Sequence, residues 1–125
     1  MGLEIRTIDE AEGLQTPAGV MKPLVVGCNL AVMHLVIPAG LEVPPHAHPG
    51  EGVLYCLSGE LDVVSGGETV TISSGTAMLV PSGTEVGIKN RQDAAVNALL
   101  ISSPPTVRSV EELRNPINQH KGGKH

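Results

Sequence analysis

The pattern of apolar and polar residues along the chain predicts many short strands and very little helix. Residues Ala31–Ile37 form a nearly continuous apolar run, closed by Pro38 and Gly40, which is typical of a buried strand. Residues Glu68–Ile72 alternate polar and apolar side chains, as expected for a strand with one face in water. We therefore expect strands that share one core.

Glycine and proline turns divide the rest of the chain into similar segments. Residues 1–23 are predicted to form an N-terminal arm or edge strand, with a break at Pro23. A capping-box pattern at Ser109–Glu112 predicts a short C-terminal helix, followed by a polar tail, within residues 106–125. Further strands are predicted at Leu24–Val26, Val53–Leu57, Glu60–Val64, Ala77–Val80, Glu85–Lys89 and Val96–Ser102. This series indicates an all-β sandwich or barrel with a core over about residues 24–103.

Length and composition narrow the class of protein. A chain of 125 residues favours a single domain, and its core must be aliphatic because it has one tyrosine and no phenylalanine or tryptophan. The net charge of −5 argues against a nucleic-acid partner. No signal peptide or bilayer-length apolar segment is evident, so we expect a cytoplasmic protein with no membrane partner. Cys28 and Cys56 lie in apolar stretches, where small buried thiols are expected.

The candidate chemistry lies between Gly40 and Glu51. His46 and His48 are two residues apart, so on an extended chain they project from one face, about 7 Å apart at the backbone. Three nearby prolines favour that extended conformation. Two imidazoles so placed can bind one divalent ion. The alternative is a solvent-exposed loop in which these histidines bind nothing.

Two groups of residues resemble the two motifs of the cupin family. The residues that match are Gly40, His46, His48 and Gly59 for the first motif, and Gly75, Pro81, Gly83 and Asn90 for the second. The resemblance covers about residues 30–102 and implies one double-stranded β-helix, or jelly-roll, barrel. In the family, a glutamate of the first motif and a histidine of the second usually complete the metal site. Asn90 is expected to be a loop residue that satisfies backbone groups.

The sequence departs from the family at both of those remaining ligand positions. The spacing puts Gly52 at the usual glutamate position and Val86 at the usual histidine position. Glu51 and Glu85 stand one residue earlier, and in a regular strand that offset turns a side chain to the opposite face. Glu85 is therefore expected to point away from the pocket. Glu51 follows a flexible turn, so it is a candidate third metal ligand or general base.

The third ligand stays open between Glu51, His34 and water. Together His46, His48 and Glu51 would form a two-histidine, one-carboxylate set that suits several first-row metals. His34 lies on the preceding buried strand, where it is a ligand, a hydrogen-bonded core histidine or a residue on an outward face. The expected cofactor is a divalent ion (Fe, Mn, Zn or Ni), weakly bound or absent.

Two functions are compatible with these residues. The first is a metal-dependent barrel that acts on or senses a small polar metabolite, and an enzyme of this kind would resemble cupin oxygenases, isomerases or lyases. The alternative is a non-catalytic barrel that binds a small molecule or regulates another protein without metal. A small-molecule ligand is expected in both cases. A homodimer is also expected, because small cupins resemble one another in pairing through edge strands and N-terminal arms.

Overall fold

The computed structural model describes residues 2–105, which form strands and no helix, so the all-β prediction is confirmed. The ten strands are β1 Leu14–Thr16, β2 Gly19–Val26, β3 Ala31–Ile37, β4 Glu42–His46, β5 Glu51–Ser58, β6 Glu60–Ser65, β7 Glu68–Ser73, β8 Ala77–Val80, β9 Val86–Lys89 and β10 Val96–Ser103. The predicted C-terminal helix and tail at 106–125 lie outside the described residues. None of the described residues belongs to a helix that could cross a bilayer.

The strands are arranged in two antiparallel sheets. The six-stranded sheet has the order β1-β2-β3-β10-β5-β8, and the four-stranded sheet has the order β4-β9-β6-β7. From β3 to β10 the chain crosses repeatedly from one sheet to the other, as in a jelly roll. Strands β7 and β8 are therefore the edges of different sheets, although they follow each other in the chain.

Prolines occur inside two strands, which the sequence pattern did not predict. Strand β2 continues through Pro23, and its register against β3 shifts between Pro23 and Val25, so the predicted break is a β-bulge within the strand. Strand β4 contains Pro44 and Pro45, and it lies at an edge of its sheet. Both positions agree with the missing N–H of proline, which cannot complete a ladder hydrogen bond.

The core lies between the sheets and is aliphatic. Its buried cluster consists of Leu35, Ile37, Leu54, Cys56, Leu61, Val63, Ile72, Val96 and Ala98. Cys56 is buried, as predicted, but Cys28 is exposed and the prediction for it was wrong. Cys28 follows the end of β2, so the apolar neighbours that suggested burial belong to the strand and not to the turn.

Asn90 ties two turns together at one end of the barrel. Its side chain is buried, and Nδ2 donates to the carbonyl oxygens of Ile37, Pro38 and Ala94 at 2.9, 3.1 and 3.0 Å. Its Oδ1 accepts from the backbone N–H of Gln92 at 2.9 Å. The prediction that Asn90 satisfies backbone groups is confirmed, and the residue joins the end of β3 to the loop before β10.

Candidate functional site

The structure brings the two motif histidines together at the end of β4. His46 is the last residue of that strand, and His48 follows it in the connection to β5. Their ring centroids are 4.6 Å apart and the ring planes make an angle of 81°. Both residues are exposed, so the pair is open to solvent and to small molecules.

The ring orientation of His46 and the pKa of His48 both suit metal binding. Nδ1 of His46 lies 3.1 Å from the carbonyl oxygen of Pro44, which can only accept, so Nδ1 is the donor and Nε2 is the nitrogen left to bind an ion. Histidine ligands commonly donate their second ring N–H to a carbonyl in this way. Although His48 is exposed, partial desolvation of its ring by the surrounding protein, and then the neighbouring His46, lower its pKa. His48 therefore favours the neutral imidazole that a metal requires.

Gly87 on β9 allows β4 to take its bulged path towards His46. The register between the two strands shifts between Val43 and His46. A Cβ atom at Gly87 would lie 2.7 Å from both the nitrogen of Pro45 and the carbonyl oxygen of Val43. Sequence reasoning missed Gly87. The sequence feature that could have indicated it is a glycine inside a short predicted strand, because such a glycine often marks the close approach of another backbone.

The turn after His48 is held by its neighbours and is not a free loop. Gly50 has a φ of 88°, and a Cβ atom there would collide with the carbonyl oxygen of Ser103. Its N–H donates to Oγ of Ser82 at 3.1 Å, and the N–H of Gly83 donates to the carbonyl of His48 at 3.3 Å. The histidine segment is thus tied to the turn between β8 and β9.

The acidic candidates do not join the histidine pair in this structure. Glu51 is the first residue of β5 and is exposed, and strand alternation places it opposite Gly52, which shares a face with the core residue Leu54. Glu85 is also exposed, and its carbonyl oxygen accepts from Oγ of Ser65 at 2.7 Å. Within residues 2–105, no group of three or more His, Cys, Asp or Glu side chains is positioned to hold a metal.

His34 is buried on the other sheet, away from the pair. It alternates with the core residue Leu35, so its ring lies on the outer face of the six-stranded sheet. Its Nδ1 is buried without a hydrogen-bond partner among the described residues. Burial lowers the pKa of His34, the bond to Asn97 opposes that shift, and the nearby Lys22 adds to it.

A groove opens between the edge strands β7 and β8 at the same end of the barrel. It has a volume of about 190 Å³, and its apolar lining comprises Val63, Val70, Met78, Leu79, Val80 and Val86. Val86 is the direct register partner of His46, and partners in a ladder project to the same face. The groove therefore begins beside the histidine pair.

These features define a small jelly-roll barrel that keeps two histidines of a metal motif beside an apolar groove. A family model described as a cupin domain matches residues 33–102, which is more than half of the chain. The chain belongs to the cupin family. No curated protein matches the sequence significantly.

Solved structures of related fold agree with this assignment. An RmlC-like cupin from Shewanella frigidimarina matches 82% of this chain and 92% of its own, at 20% identity and a TM-score of 0.73. The polyketide cyclase RemF from Streptomyces resistomycificus matches 94% and 96%, at 18% identity and a TM-score of 0.73. KdgF from a Halomonas species matches 82% and 94%, at 23% identity and a TM-score of 0.69. At these identities the likeness establishes the fold alone.

Proposed function

We propose that this cupin binds a divalent metal ion through His46 and His48, and that the ion holds a small polar metabolite at the open end of the barrel. The observation that carries the proposal is the contact of the two rings, 4.6 Å apart, with Nδ1 of His46 donating to Pro44. That arrangement leaves Nε2 of His46 available and orients the ring, as a metal ligand needs.

The residues around the pair limit what such a site can do. Gly52 and Val86 supply no donor atoms, so the remaining coordination positions are left to water and to the ligand itself. Two protein ligands suit a weakly held Fe, Mn, Zn or Ni ion. When bound, the ion would act as a Lewis acid towards a carboxylate or carbonyl oxygen. The chain's own part is to hold the ion with neutral imidazoles and to place the ligand beside Val86.

A second candidate function is a barrel that binds a small molecule, or regulates a partner, without any metal. The specific observation in its favour is the replacement of two customary donors by Gly52 and Val86. Gly52 has no side chain, and the side chain of Val86 lines the apolar groove, so the interior has no polar side chain at two positions where the family usually has ligands.

Metal titration of the chelator-treated protein tests the first proposal against the second. We expect isothermal titration with Zn²⁺ or Mn²⁺ to show one ion per chain, and His46→Ala and His48→Ala each to abolish it. Glu51→Gln tests the predicted third ligand, and Glu60→Gln, an exposed glutamate at the start of β6, serves as its matched control. Undiminished binding in the His46→Ala/His48→Ala double variant would remove the metal assignment and leave the second function.

We also propose that the chain forms a homodimer through its N-terminal arm and the β1 edge. Leu3 and Ile5 on the arm are large apolar side chains that are 76% and 86% exposed, and β1 is an edge strand of its sheet among residues 2–105. The Nε–H of Arg6 donates to the carbonyl of Leu24 at 3.1 Å and holds the arm near β2. Light scattering should show a dimer for the wild type and a monomer for Leu3→Ser/Ile5→Ser; a wild-type monomer would contradict the proposal.

A further inference from the structure

The groove between β7 and β8 exposes apolar side chains that point towards the core. Val70 on β7 is the register partner of Val63, which is 4% exposed, so both project to the inner face of the sheet. Val70 is nevertheless 56% exposed. On β8, Met78 is the register partner of the core residue Leu54 and packs against the core, whereas Leu79 alternates with it and is 60% exposed on the other face. Because β7 and β8 are edges of different sheets, no described strand pairs along the other side of either one.

The charges around this groove have one sign. Glu68 is the only ionised side chain in its lining, and it makes no ion pair within the described part of the chain. The sequence has no lysine or arginine from Gly40 to Ile88. Among residues 2–105, an anionic ligand would therefore find no lysine or arginine there, whereas a cation would find a free carboxylate.

The basic residues of the described chain are all engaged elsewhere. Two of them form ion pairs: Arg91 with Asp62 at 2.8 Å, and Lys89 with Glu42 at 3.7 Å. The other two hold the N-terminal arm, since Nζ of Lys22 donates to the carbonyl of Ile8 and Arg6 donates to Leu24. None of the four competes for Glu68.

We propose that this groove binds a small ligand that combines a short alkyl chain with a protonated amine. The alkyl chain would cover Val70 and Met78, and the ammonium group would lie beside Glu68. Two hydroxyl groups in the lining, those of Ser65 and Thr84, add hydrogen-bond acceptors for the ammonium. This inference rests on the proposed function, which places the ligand beside Val86 in the same groove, and it adds the chemical class of the part that would contact Val70 and Glu68.

The size of the groove limits the ligand. A closed apolar cavity of about 150 Å³ accommodates benzene, so about 190 Å³ suits a chain of about five carbons. The groove is open on one side, so we expect weak binding, in the millimolar range, for a ligand that uses only this surface.

The test uses n-pentylammonium as the probe, with pentanoate and 1-pentanol as matched probes of the same chain length. Backbone amide NMR spectra of the full chain are recorded with a chelator present, so that the result is independent of metal at the histidine pair. We expect saturable shifts confined to β7, β8 and the start of β9 with pentylammonium. Pentanol should bind at least about twofold more weakly, because it lacks the attraction of the ammonium group to the exposed carboxylate of Glu68. Pentanoate should not saturate, because the same carboxylate repels it.

Two pairs of variants test where the alkyl chain and the ammonium group of the probe bind. Val70→Thr should weaken pentylammonium binding about threefold or more, whereas Val64→Thr, on the opposite face of the same hairpin, should leave it unchanged. Glu68→Gln should weaken it about two- to fivefold and remove the preference over pentanol, whereas Glu60→Gln should not. Thermal unfolding confirms that each variant is folded before titration.

Three results would overturn the inference. They are equal binding of pentanoate and pentylammonium, saturable shifts that map outside β7 and β8, and the absence of saturable shifts up to about 50 mM probe. None of these bears on the metal titration of the histidine pair, so the two proposals fail separately.

Discussion

His46 and Val86 stand directly opposite each other on β4 and β9, as partners in the antiparallel ladder. Val86 occupies the position at which cupins usually carry the histidine of their second motif. The backbone that would bring a further imidazole to the pair is therefore present, and only the side chain differs. This relationship explains how the barrel keeps the motif spacing while a valine of the groove stands at a ligand position.

Val86→His should strengthen metal binding by about tenfold or more, because the new imidazole would lie beside His46 on the same face. The measurement is isothermal titration with Zn²⁺ against the wild type. Lys89→His, on the same strand but opposite Glu42, is the matched control and should leave the affinity unchanged. An affinity of Val86→His equal to that of the wild type would argue against metal binding at His46.

Gly87→Ala should destabilise the barrel by about 1–3 kcal/mol and weaken metal binding, because the added Cβ pushes Pro45 and Val43 away and displaces His46. Urea unfolding and metal titration measure the two effects. Gly52→Ala is the control: it has an ordinary backbone conformation, and its Cβ would meet nothing closer than 3.4 Å. Equal stability of the two variants would show that β4 moves without cost.

Asn90→Ala should cost about 2–4 kcal/mol of unfolding free energy, because Ile37, Pro38 and Ala94 would lose the donor to their carbonyl oxygens. Asn90→Asp should cost at least as much, since it places an acceptor against those acceptors. Gln92→Ala, at an exposed neighbouring position, should change the free energy by less than about 0.5 kcal/mol. Urea unfolding of the three variants measures these free energies. A small loss of unfolding free energy for Asn90→Asp would contradict the assignment of Nδ2 as the donor to the three carbonyl oxygens.

His34 should make the folded state sensitive to acid. Burial lowers its pKa in the folded protein, so the unfolded chain binds a proton first as the pH falls. Its contribution to stability is complete above the unfolded pKa of about 6.5 and is lost as the pH falls from there towards the folded pKa, with a slope of at most about 1.4 kcal/mol per pH unit. The measurement is the free energy of unfolding between pH 8 and pH 5.

His34→Gln serves as the comparison, since it keeps a donor for Asn97 and cannot titrate. As the pH falls, the unfolding free energy of the wild type should decrease more than that of the variant. An NMR titration of the His34 ring gives an independent check, and a midpoint above 6.5 would contradict the predicted direction. Lys22, the register partner of His34 on β2, adds to the lowering of the His34 pKa.

Strand positions were largely predictable, because periodicity and turn residues report local constraints. Ala31–Ile37 and Ala77–Val80 were predicted with their observed bounds, and most other strands differed by one or two residues. Strand β4 was harder, since its two prolines break the usual pattern and only its place at a sheet edge makes them tolerable. The early part of β2 was uncertain for the same reason, because Pro23 is accommodated by a bulge against β3.

The candidate site was also predictable only in part from the sequence. The motif spacing predicted which residues stand at the family's ligand positions, including the departures at Gly52 and Val86. It left the third ligand open between Glu51, His34 and water, because a side chain's direction depends on the strand it enters and on that strand's register. The register places Glu51 and His34 on faces away from the pair, and it identifies Gly87, which no motif marked.

By itself the sequence determined an all-β barrel of the cupin family, an aliphatic core, and two histidines spaced to meet on one face, because these follow from neighbours close along the chain. The tertiary structure alone decided that Val86 faces His46, that Glu51 and His34 point elsewhere, and that a groove with a single carboxylate opens between β7 and β8. Those relationships join residues far apart in sequence, and their geometry is fixed by strand pairing and bulges that local patterns do not encode.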